Sequence, residues 1–107
     1  MELERYSFVL LRRPADAPQY PEDRLAEIQE QHLAHLTELS ERGVLLLAGP
    51  FGDQPDETLR GLCVFDAGLD ETRALMADDP AVVAGRLAVD VMTWWTAPGS
   101  LRASASS

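Results

Sequence analysis

The sequence predicts an α+β domain in which four antiparallel strands carry two helices on one face. Three observations lead there. Four short apolar runs, at residues 6–11, 44–48, 59–66 and 87–95, have the length and composition of strands. A long amphipathic stretch lies between the first and second runs, and a shorter helical one between the third and fourth. Only a polar turn separates the second from the third, so those two pair as a hairpin. The order is therefore βαββαβ, the split βαβ arrangement of ferredoxin-like folds. Right-handed crossovers place both helices on the same side of the sheet.

The first strand, Tyr6–Leu11, ends at Arg12, Arg13 and Pro14, and the three prolines of residues 13–21 mark a loop. The helix expected over Pro21–Arg42 opens with Pro-Glu-Asp and stops at Gly43. Leu25, Ile28, Leu36 and Leu39 share one face of it, with His32 at the centre of that face and His35 to one side. Val44–Ala48 is the second strand, closed by Gly49 and Pro50. Leu59–Asp66 is the third, and Gly68 breaks the chain after it. A short helix over Asp70–Ala77 carries Leu75 and Met76. Asp79 followed by Pro80 suits an N-cap with proline at the first helical position, giving one further turn to Ala84. Leu87–Trp95 is the last strand. Residues 1–96 thus form the domain, and residues 97–107, rich in Gly, Ser and Ala, are expected to be a disordered tail.

Both faces of the sheet are apolar. Tyr6, Phe8 and Leu10 alternate with Val9 and Leu11, and Val89 and Val91 alternate with Met92 and Trp94. Two helices cover one face, so the other calls for a second copy of the chain, and a homodimer through the sheet is expected. Trp94 and Trp95 point to opposite faces. One is expected under the helices and the other in the dimer interface.

Composition removes several function classes. The 107 residues hold 18 acidic and nine basic side chains, a net charge of -9, which argues against nucleic acid and anionic membranes as partners. All nine basic residues are Arg; without Lys there is no Schiff base and no Walker-type phosphate loop. The single Cys63 makes neither an internal disulfide nor a zinc cage, and its apolar strand assigns it to the core. No signal-peptide start and no stretch of about 20 apolar residues is present, so a cytoplasmic protein is expected. His32 and His35 share a helical face, but no further ligands stand at a recognisable spacing, and no metal or other cofactor is expected.

His32 is the candidate for chemistry. Its plain alternative is a core histidine satisfied by one hydrogen bond, yet its four aliphatic neighbours offer its ring nitrogens nothing. An imidazole exchanges protons near neutral pH, which suits it to acid–base work. Asp79 is explained as a cap, with Asp78 beside it as the alternative. His35 is a rim residue. Arg12 and Arg13 could meet an anionic ligand, but strand-end arginines are usually solvated, and they are read as such. Gly49, Pro50 and Phe51 form a strand exit that can also line a substrate pocket, with Phe51 as an apolar wall.

Two segments carry a family likeness. The stretch HLAHLTELSERGVLLLAGPFGD, from His32, joins an H-L-x-x-L helix, a Gly, an apolar strand and an A-G-P turn. DPAVVAG follows at residues 79–85. In this order they resemble the YCII-related (YciI-like) family, from about Tyr6 to Trp95. The resemblance implies a ferredoxin-like subunit in a dimeric α+β barrel and an active-site dyad of His32 and Asp79, in which the acid orients the imidazole. It also implies a cofactor-free lyase, dehydrochlorinase or isomerase acting on a small organic acid or lactone. The chain departs from the family's namesake at Gln29, which replaces an Arg three residues before the histidine, and in its long proline-containing loop. The competing reading is a non-enzymatic dimer that binds a small ligand or a partner.

Overall fold

The computed structural model describes residues 2–101. β1 (Glu4–Arg12) is the inner strand, buried at Ser7, Val9 and Leu11 on one face and half-buried at Phe8 and Leu10 on the other. It pairs antiparallel with β3 (Leu59–Phe65) through Val9 and Cys63, and with β4 (Ala88–Thr96) through Val9 and Val91. β2 (Leu45–Pro50) joins the far side of β3, giving the sheet order β2-β3-β1-β4 with every pair antiparallel. That order and the element sequence are those of the ferredoxin-like arrangement the sequence predicts.

α1 (Glu22–Glu41) and α2 (Leu69–Ala77) are the two predicted helices, and α3 (Pro80–Val83) is the single turn after Asp79. Val9, Leu11, Leu39, Leu45, Phe65 and Met76 form the core between sheet and helices. Cys63 lies in that core with no exposed surface. Burial, with the nearby Asp79 adding to it, pushes its thiol up to about 12. The thiolate is therefore nearly absent at pH 8. Iodoacetamide should alkylate the folded protein about a thousandfold more slowly than the unfolded chain. Comparable rates with and without denaturant would show an accessible, ionisable thiol.

The second strand runs further than the sequence suggests. Gly49 and Pro50 do not close it but continue it, opposite Leu62 and Gly61. β2 is an edge strand, where proline's missing N–H forfeits no ladder bond. Gly61 is what allows the approach: a Cβ there would stand 2.5 Å from the Gly49 carbonyl oxygen.

The tryptophans also differ from expectation. Trp94 packs edge-on against Phe8 on the helix-free face, with ring centroids 5.9 Å apart. Trp95 sits opposite Arg5 near the end of the sheet and is 55% exposed, so neither ring lies under the helices. On the same face Met92 is 42% exposed, and so is Leu47 at 45%, on the opposite edge strand β2. The face thus exposes apolar side chains on its two edge strands, while Tyr6 and Val64 between them are buried.

Of the expected tail, residues 97–101 form a turn in which the Gly99 N–H donates to Glu4 Oε1 at 2.6 Å and the Ser100 hydroxyl to the Ala97 carbonyl at 2.7 Å. Residues 102–107 lie outside the described residues. No helix among the described residues is long and apolar enough to cross a membrane.

Candidate active site

α1 buries Ile28, His32 and Leu39, which recur along one face of the helix. α3 packs against the same helix and brings its N-cap beneath it. Asp79, the cap, is completely buried. One of its oxygens, Oδ1, accepts from the Ala81 N–H at 2.9 Å, as an N-cap should. The other, Oδ2, lies 2.6 Å from His32 Nδ1. Both oxygens of a buried carboxylate are thus engaged, the condition under which such a group is tolerated in a core.

The contact fixes the ring. A carboxylate is an acceptor, so Nδ1 carries the proton and donates, and in the neutral imidazole Nε2 keeps its lone pair. Nε2 has no hydrogen-bond partner among the described residues. His32 also lines a cavity of about 800 Å³. Leu11, Leu25, Ile28 and Leu36 line it with apolar side chains, and the β2–β3 hairpin lines it as well. The arrangement places the ring beside a cavity, with an anion behind it to stabilise the imidazolium once a proton is taken.

The other candidates fall out as follows. Gly49 and Pro50 line the cavity, whereas Phe51 does not. Strand β2 runs through Pro50, so the chain leaves the wall at the residue expected to complete it. Asp78 is exposed and stands apart from the ring. His35 Nε2 donates to the Leu75 carbonyl at 2.9 Å, tying α1 to α2 and not facing the cavity. Gln29 lines the cavity as a neutral side chain. Among the described residues no three His, Cys, Asp or Glu side chains gather as a metal site.

Arg13 also lines the cavity, together with Arg60 and Arg86, which the sequence reading did not single out. No local signal marks Arg60: it is the unpaired residue where the register shifts between the pairs Leu11–Gly61 and Arg12–Leu59.

Comparison with known proteins adds a family and a fold. Residues 6–95 match the family model of the YCII-related domain. Among solved structures, the chain is similar to 5-chloro-2-hydroxyhydroquinone dehydrochlorinase from Burkholderia phenoliruptrix AC1100, in complex with 2,5-dihydroxybenzoquinone. The TM-score is 0.61 and the identity 20%, over 83% of this chain and 92% of that one. At that identity the likeness speaks for the fold. No curated protein matches the chain in sequence.

Proposed function

The chain belongs to the YCII-related family, and from that premise we propose that it is a cofactor-free acid–base enzyme acting on a small organic acid or lactone. The observation that carries this reading is His32 Nδ1 held 2.6 Å from the buried Asp79 carboxylate while the same ring lines a cavity. Nε2 takes a proton from a carbon of the substrate. In an elimination, the C–H electron pair becomes a π bond and a leaving group such as chloride departs with its own electrons. In an isomerisation, the imidazolium returns the proton to a second carbon. In both, Asp79 stays ionised and stabilises the charged ring.

A His32 packed away from any cavity would have favoured the non-enzymatic alternative. The test is a panel of chlorinated and unsaturated carboxylic acids, chlorolactones and unsaturated lactones in deuterated buffer, followed by halide release and by deuterium incorporation at carbon. Turnover or exchange that disappears in His32→Gln supports the reading. Activity that survives His32→Gln removes His32 from it.

Dimerisation through the helix-free face, with closure into a barrel, belongs to the same proposal. The support is the exposed apolar surface of Leu47, Met92 and Trp94. A stable pairing there would bury about 2,000 Å² in total. Light scattering should report twice the 11.8 kDa chain mass, and Trp94→Glu should shift it toward the monomer. A monomer at every concentration would overturn this part. A cytoplasmic setting is consistent with the free, buried Cys63.

A further inference from the structure

The cavity beside His32 holds more positive charge than a proton transfer requires. Arg13, Arg60 and Arg86 line it, and no acidic residue does. This runs against a chain with 18 acidic side chains and nine basic ones. Elsewhere the arginines find carboxylates: Arg12 meets Asp90 at 2.7 Å, Arg24 meets Glu27, and Arg73 meets Asp70 at 3.4 Å. Among the described residues, none of the three cavity arginines has an ion-pair partner.

Their remaining contacts orient them without neutralising them. Arg60 gives one N–H to the Glu57 carbonyl and Arg86 one to the Pro18 carbonyl, each at 3.1 Å. Most of the N–H donors of each guanidinium stay available. Arg13 is the least satisfied, because its Nε is buried with no hydrogen-bond partner. Burial, then Arg86 and Arg60, hold its guanidinium below the ordinary value, so the three charges repel one another across the cavity.

The fold spends specific features on this placement. The Arg13 N–H donates to the Thr58 carbonyl at 2.8 Å, fixing it beside β3. Gly85 turns at φ +77°, a conformation few other residues adopt, and Pro18 packs so closely on it that a Cβ would approach to 3.0 Å. Tyr20 donates to the Ala84 carbonyl at 2.8 Å. The proline-rich loop is thereby docked on the end of α3, next to Arg86.

A ligand must satisfy both this charge and the leucine lining. An inorganic ion would leave the apolar wall wet, and a neutral molecule would leave the arginines unpaired. We infer that Arg13, Arg60 and Arg86 form an anion subsite that takes the carboxylate of an organic acid, whose apolar body lies against the leucines beside His32. Guanidinium and carboxylate match in a two-point, charge-assisted geometry. The inference rests on the reading of this cavity as the substrate site, and it selects the acid over the neutral lactone.

The test uses benzoate and cyclohexylacetate, each against its neutral primary amide, titrated into the isotopically labelled full chain. Leucine methyl, His32 ring and arginine Nε–H resonances report binding. The acids should bind about tenfold or more tightly than the amides, with the Arg13 Nε–H moving as the new hydrogen bond forms. Arg60→Gln and Arg86→Gln should each weaken the acids by about tenfold and leave the amides unchanged; Arg13→Gln should do the same where it folds. Equal binding of acid and amide, or variants that fail to discriminate them, overturns the anion subsite while leaving the cavity as a binding site. If neither class perturbs the leucine methyls or His32, the cavity reading fails and the inference falls with it. Arginine-dependent acid binding that leaves the His32 ring unmoved supports the subsite and counts against the catalytic reading.

Discussion

Asp79→Ala is expected to destabilise the protein by about 3 kcal/mol, a large effect for one small side chain. Two losses add. The Ala81 N–H loses its capping acceptor, worth about 1 kcal/mol. The buried Nδ1–H of His32 loses its only partner, at about 1–3 kcal/mol. Asp79→Asn keeps an oxygen for the cap, because Asn caps about as well as Asp. It should therefore cost clearly less. Urea unfolding of the three proteins measures this, provided the slopes agree. If Asp79→Asn costs nothing while Asp79→Ala costs only about 1 kcal/mol, the carboxylate contributes only as a cap. If both cost nothing measurable, the buried pair adds nothing to stability.

His32→Gln should lower turnover of any substrate found by about 10²–10⁴-fold, the usual contribution of a positioned general base. Gln fills much of the imidazole volume and retains a donor for Asp79, so the fold should survive. It cannot take a proton at neutral pH. The loss should fall on kcat, with KM changing little, since the arginines and leucines that line the cavity remain. A loss confined to KM would make His32 a binding residue and place the base elsewhere.

Much of the architecture was legible because its signals are local. Asp79 followed by Pro80 specifies a helix start from two adjacent residues, and the cap forms as expected, with Ala81 as donor. Gly43 and Gly85, at φ +79° and +77°, end α1 and α3 where helical spacing stops. The His32 stripe was visible as periodicity, and His32 is buried on that stripe with Ile28 and Leu39. The end of β2 was misread because Gly and Pro usually stop strands. Only the pairing of Gly49 with Leu62 shows that an edge strand tolerates them. The pairing of His32 with Asp79, 47 residues apart, came from family likeness, since periodicity places a residue on a face and not against a distant cap. Arg60 and Arg86 were missed for the same reason. Each looks solvated in its own segment, and only the folded chain brings them together with Arg13.

The central claim is that Asp79 fixes the neutral His32 ring with its proton on Nδ1, leaving Nε2 as the base. Long-range ¹H–¹⁵N correlation spectra of the ring, recorded where the imidazole is neutral, read the tautomer directly. The native protein should show a protonated Nδ1 and a bare Nε2. In Asp79→Asn, the introduced amide can donate to Nδ1, and the proton should move to Nε2 in part or whole. A native ring protonated on Nε2, or an identical tautomer in both proteins, would contradict the account.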